Sequence, residues 1–271
     1  MPALPDISAR DLLAFYAETG VDCALSDEPV NRLSDEAAAE EQAPAKPPLF
    51  RNANPAPSRP PAKPEPTPDL AIASARELAP QAKTLDELRA LLEKFDGCAL
   101  KSTATRLVFA DGNPQAKFMI VGEAPGRDED IEGLPFVGAS GKLLDLILAA
   151  VGFDRSKVYI ANIIPWRPPG NRDPSPQETQ ICLPFIKRQI ELVDPDVLVC
   201  LGKPSSQAVL ELKDGIMKTR GKWHDYDTGT RKIRAMATFH PAYLLRQPIY
   251  KRLAWQDFRA IRKALSQTNA N

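Results

Sequence analysis

Residues 122–145 read GEAPGRDEDIEGLPFVGASGKLLD. The stretch follows a short apolar run at 118–121 and leads into a segment with helical apolar spacing. A buried strand, a Gly/Pro-rich loop and a helix N-terminus in succession is how α/β proteins build sites at strand ends. The loop also carries an acid, Glu123, and an aromatic, Phe136. Together they suit a pocket that holds a flat group and sets a carboxylate beside it.

Two phosphate-binding readings of this loop fail on spacing. Residues 138–142, GASGK, hint at a phosphate cradle, but Leu143 stands where Ser or Thr must follow the lysine to hold Mg²⁺. The glycine spacing of a dinucleotide fingerprint is absent as well.

Working outward, short apolar runs at 118–121, 158–163 and 197–201 read as strands. Helical patterns at 142–151, 176–193 and 204–212 lie between them, a further strand is expected at 233–239, and a closing helix at 249–265. Strands alternating with helices predict an α/β fold, a three-layer αβα sandwich around a central, mostly parallel four-stranded sheet. Sites in such folds lie beyond the C-terminal strand ends, where the loops after residues 121, 163 and 239 fall.

Composition divides the chain in three. Residues 1–33 contain a short helical pattern over residues 6–20, with apolar spacing at Ile7, Leu12, Phe15 and Tyr16 and Gly20 as its stop. Residues 34–69 are Pro/Ala-rich, with ten of the 27 prolines between Pro44 and Pro68, and read as a disordered linker. Residues 70–271 read as one folded domain. Four cysteines without short pair spacing argue against a disulfide framework, and no apolar run suits a membrane span. With no secretory leader pattern at its start, the chain is expected in the cytoplasm.

A formal net charge of zero hides a gradient. Residues 1–45 hold ten acids against Arg10 and Arg32, a local net of −8. Residues 220–263 hold eleven bases against Asp225, Asp227 and Asp257, a local net of +8. Charge alone leaves two readings of this basic third, a phosphate-binding surface or a solvated helix face.

The second strand-end loop, residues 162–176, is NIIPWRPPGNRDPSP, whose prolines hold an extended path while Arg167 and Arg172 can face phosphates. The third, residues 240–248, is HPAYLLRQP and holds one of the chain's two histidines. Taken singly, His240 would be read as a hydrogen-bonded turn residue. GEAPG with LPFVG and GKLLD, then Asn162, then RPPGNR, then HPAYLLR, in this order, resembles the uracil-DNA glycosylase superfamily and within it the family 4 type. The likeness spans about residues 97–264.

The resemblance implies a monofunctional DNA repair hydrolase that flips uracil out of DNA and cuts its N-glycosidic bond to leave an abasic site. Phe136 matches the stacking aromatic and Asn162 the reader of the Watson–Crick edge, with Gly122 beside them. His240 matches the residue that stabilises charge at uracil O2, and Glu123 one that supports the cationic sugar or orients water. Leu244, Leu245 and Arg246 match the segment that enters the duplex. Gly126 stands where another branch carries a tyrosine that excludes the thymine methyl, so Glu129 is expected to wall the pocket and further deaminated bases could be accepted. The implied partner is uracil-containing DNA, met by a monomer, with a protein partner for the N-terminal helix as one reading and an acidic screening arm as the other. A competing reading is a catalytically weak, base-sensing module associated with replication or repair proteins. The presence of Glu123, Phe136, Asn162 and His240 together argues against it.

Family 4 members carry a [4Fe–4S] cluster on four cysteines. Cys98 and Cys182 match two of these positions, while Phe95 and Trp166 stand at the others. A cubane needs four thiolates or close substitutes, so no cofactor is expected, with the aromatic pair filling the volume by packing.

Overall fold

The computed structural model describes residues 67–268. The expectations for residues 1–33, and for nearly all of 34–69, lie outside the described residues. The domain opens with α1 (Pro68–Leu78), which has Pro68 in its first turn, where a missing N–H costs no helical bond. Helix α2 (Leu85–Lys94) is capped by Thr84, whose hydroxyl accepts from the Glu87 N–H, and α3 (Leu100–Thr103) follows. Strands β1 (Asp111–Gly112) and β2 (Phe118–Gly122) lead to α4 (Arg127–Glu132) and α5 (Ala139–Ala150). Then come β3 (Tyr159–Asn162), α6 (Pro176–Val193), β4 (Val197–Leu201), α7 (Gly202–Val209) and α8 (Ile216–Thr219). Strands β5 (Trp223–Asp227) and β6 (Lys232–Thr238) precede α9 (Pro241–Arg246) and α10 (Lys251–Thr268).

One six-stranded sheet runs in the order β1-β3-β2-β4-β6-β5. The inner four strands are parallel to one another and are the four expected ones. Antiparallel β1 and β5 extend the sheet at its two edges, beyond the expected four strands. Neither carries a buried apolar run: β1 is Asp-Gly, and β5 reads WHDYD with its residues half-buried or exposed.

The inner strands β2, β3 and β4 are buried along their whole length, as parallel strands covered on both faces must be. Alternate residues face opposite layers. Met119, Val121, Ala161, Leu198 and Cys200 pack in the core formed with α1, α2 and α6. Phe118, Ile120, Ile160, Val199 and Leu201 pack against α5 and α10 through Leu144, Leu148, Phe258 and Ile261. Each such fully buried side chain contributes roughly 1.5–3 kcal/mol of transfer free energy. Because α5 and α6 cover opposite faces, the chain reverses its winding beside β2. That leaves a crevice at the C-terminal ends of the inner strands.

Candidate active site

Glu123 leaves β2, Asn162 ends β3, and His240 follows β6 by two residues. All three therefore emerge at the same end of the sheet. Register sets their approach: Gly122 pairs with Asn162, and the ladder continues through Ile163 N–H to the Gly122 carbonyl at 3.1 Å and Ile164 N–H to the Glu123 carbonyl at 3.0 Å. The loops enclose a cavity of about 360 Å³ lined by Glu123, Gly126, Glu129, Phe136, Asn162, Asp173, His240 and Arg246, with Arg172 at its wall. Gly122 lies under this floor. A Cβ there would stand 2.3 Å from Asn162 Oδ1 and 2.6 Å from Phe136 Cζ, so only glycine lets the amide and the ring share the space.

Asn162 is buried, and its Oδ1 has no hydrogen-bond partner among the described residues. A buried orphan acceptor costs free energy unless a ligand supplies a donor, which marks it as one end of a recognition pair. The Phe136 ring is buried and lies 5.5 Å, centroid to centroid, from the His240 ring at an angle of 33°. The cavity thus joins an apolar face, an amide and an imidazole.

His240 caps α9: its Nδ1 accepts from the Ala242 N–H at 3.2 Å. An accepting Nδ1 is unprotonated, which leaves the neutral ring's hydrogen on Nε2. Burial, reinforced by the Arg246 charge, pushes the imidazole from 6.5 down to about 4, so the ring is neutral at pH 7 and its Nε2–H is free to donate to a ligand. Glu123 moves the other way. Burial and then the charge of Asp173 raise its carboxyl from 4.5 to about 7. The second histidine, His224, lies on the edge strand β5, and its Nε2 also has no partner among the described residues.

Glu129 is among the residues that line the cavity, and its carboxylate also makes three backbone contacts. It accepts from the Gly126 N–H at 3.0 Å, the Val137 N–H at 3.0 Å and the Gly138 N–H at 2.9 Å. One carboxylate therefore ties the start of α4 to the start of α5. The Gly138 amide, the first of the GASGK turn, is thereby already occupied. A Cβ on Gly126 would meet only this carboxylate, at 2.8 Å.

The basic residues divide. Arg172 lines the cavity while forming two bonds to Glu178, at 2.9 and 2.6 Å. Arg167 is bonded to Asn171 at 2.8 Å. Arg246 is exposed at the cavity rim. Leu244 differs from the expectation: it is fully buried with Phe239 and Ala254 and is not presented outward. Leu245, 42% exposed, is the apolar side chain that α9 presents outward. Asp173 sits inside the proline-rich loop after β3, and only the folded cavity reveals that its charge reaches Glu123.

The residues at the cluster positions do not fit an iron–sulfur centre. Cys98 and Cys182 face each other with sulfurs 4.0 Å apart. Phe95 and Trp166 are buried in the same core, and Phe95 packs edge-on against Phe185 at 5.0 Å. Among the described residues no three His, Cys, Asp or Glu side chains are grouped to hold a metal ion.

Compared with known families, residues 109–259 match the uracil DNA glycosylase superfamily. That match spans more than half of the chain, and the chain belongs to the uracil DNA glycosylase superfamily. Within it, the similarity is to type-4 members. The type-4 uracil-DNA glycosylase of Archaeoglobus fulgidus is 40% identical over 183 residues, 66% of this chain and 92% of that protein. That of Saccharolobus solfataricus is 39% identical over 187 residues, 67% and 87% of the two chains. The Thermotoga maritima enzyme is 41% identical over 156 residues, 57% and 80%. No helix among the described residues is long and apolar enough to cross a membrane.

Proposed function

We infer that this protein is a monofunctional uracil-DNA glycosylase of base-excision repair. The observation that carries the reading is the convergence of an unpartnered amide oxygen, a buried ring and a neutral imidazole on one cavity. In this reading Phe136 stacks on the flipped base. Asn162 Oδ1 accepts from uracil N3–H and its amide nitrogen donates to O4, a pattern that cytosine inverts. Selection of this kind is steep because the wrong base leaves buried polar groups unpaired.

Chemistry follows from the two titratable groups. The C1′–N1 bond breaks with its electron pair on uracil, and His240 Nε2–H donates to the charge growing at O2. Ionised Glu123 faces the cationic sugar and orients a water, whose oxygen bonds to C1′ while its proton leaves to solvent. Lys203 lines the adjoining cavity that shares Glu123, Asp173 and His240, but not the one that holds Phe136 and Asn162, and the hydrolysis assigned here uses no lysine. Leu245 and Arg246 are assigned to the duplex-entering tip, in place of Leu244. The reaction is assigned to these side chains with no step through an iron–sulfur cluster.

Excision from a labelled uracil oligonucleotide, developed with alkali, tests the reading. Wild-type protein is expected to release uracil. His240→Ala should lower turnover by roughly 10²–10³ with DNA binding retained, the cost of one oxyanion donor. Asn162→Asp should abolish or redirect base choice. Unchanged excision by both variants would sink the site assignment, and no excision by the wild type would favour a base-sensing module.

A further inference from the structure

We propose that Arg155 is the positioning residue that holds Phe136 as a stacking face, acting on uracil only through that ring. The proposal rests on the reading of Phe136 given above. Arg155 opens a single helical turn, Arg155–Lys157, just before β3, outside every motif of the cavity. Its guanidinium nonetheless reaches the stacking loop. Nη2 donates to the Phe136 carbonyl, and Nη1 donates to the Pro135 carbonyl at 3.1 Å. The same group is anchored from behind: Nη1 to Asp111 of β1 at 2.5 Å, and Nε to Asp145 of α5 at 2.8 Å. The loop is thus fastened to an edge strand and a helix through one side chain.

Phe136 needs such a fastening. Its φ of +56° lies in the left-handed region, which a bulky side chain adopts only when its surroundings impose it. The carbonyl is confined on its other side too, because a Cβ at Gly141 would stand 1.6 Å from the Phe136 oxygen. Between Gly141 and Arg155 the peptide has one orientation, and that orientation points the ring at Gly122 and Asn162. A lysine would not substitute. Four acceptors at three different directions require the planar fork of a guanidinium.

The test is a double-mutant cycle on kcat/KM for uracil excision, using Arg155→Ala, Phe136→Ala and the double variant. Arg155→Ala alone is expected to lose about 10- to 100-fold, the scale of a misplaced binding group. Added to Phe136→Ala, it should cost less than about 2-fold more, because coupled residues are not additive. Binding to an abasic-site oligonucleotide, which has no base to stack, should stay within about 2-fold of wild type for all three. Wild-type kcat/KM in Arg155→Ala, or losses that multiply in the double variant, would overturn the proposal. Full activity of Phe136→Ala would instead overturn the reading of the site. Should Arg155→Ala fail to fold, Asp145→Asn enters the same cycle: non-additivity with Phe136→Ala supports the role, and multiplied losses refute it.

Discussion

Glu123 and Asp173 face one cavity, and their proximity sets a pH dependence. With its carboxyl raised to about 7 by burial and then by Asp173, Glu123 is largely protonated in mildly acidic solution. Supporting a cationic sugar or orienting water requires the carboxylate, so kcat/KM should rise with pH through about 7. Asp173→Asn removes the neighbouring charge and should move this limb to lower pH, whereas Glu123→Gln should flatten it and lower the plateau. A limb that stays in place in both variants would assign the titration to another group. Stability runs oppositely. The folded state holds the Glu123 proton more tightly than the unfolded chain, so that contribution is present below 4.5 and is lost as pH rises through about 7. For His240 the shift is downward, and its contribution is lost as pH falls from 6.5 through about 4. Glu123, Asn162 and His240, in short motifs at strand ends, and Phe136, in LPFVG between α4 and α5, were legible in the sequence as candidates, and the structure brings all four to one cavity. Asp173 and Arg155 were not, since their influence depends on contacts that no local spacing encodes. Leu244 and Leu245 show the same limit. Adjacent residues of a helix point about 100° apart, and only the packed core decides which one turns inward.

Among the elements, the inner strands were legible because strand-length, buried apolar runs alternate with helical spacing. The ends of the helices moved by a few residues: the segment expected at 204–212 is Gly202–Val209, and that at 142–151 is Ala139–Ala150. Both begin earlier because glycines, Gly202 and Gly138, turn the chain directly into the first helical turn. The edge strands escaped because pairing, not composition, makes β1 and β5 strands. Packing between elements also explains the two aromatic residues at cluster positions. Phe95 ends α2, folds its ring over Gly97 and meets Phe185 of α6. Its task is that of a core residue joining two helices. Phe95→Ala should therefore cost about 3–5 kcal/mol in denaturant unfolding, the usual loss on deleting a buried aromatic. Prolonged exposure of the wild type to an iron chelator should leave both unfolding midpoint and excision rate unchanged. Iron bound in a cluster's stoichiometry, with either property lost on chelation, would contradict the packing account.

At the scale of the whole molecule, neutrality is a sum of opposed parts. Residues 1–66 carry eleven acids against six bases, so a chain of net charge zero holds +5 in the remainder. The basic segment 220–263 includes Arg246 at the cavity rim. DNA affinity of such a surface comes largely from counterion release and depends strongly on salt. In the reading of residues 1–66 as an acidic screening arm, that segment would compete with phosphates for the basic surface, most effectively when the screening length is long. Deleting residues 1–66 should accordingly tighten binding to uracil-free duplex DNA at about 0.01 M salt, where charges act over ~30 Å. The difference should vanish near 0.15 M, where that length falls to ~8 Å. Excision per bound complex should not change, because every residue of the cavity lies beyond the deletion. Fluorescence anisotropy across a salt series, with the full-length and shortened chains side by side, measures the affinity change directly. Equal affinities for the two chains at every salt concentration would exclude a screening arm. They would leave residues 6–20, with their helical apolar pattern, as a docking segment for another protein.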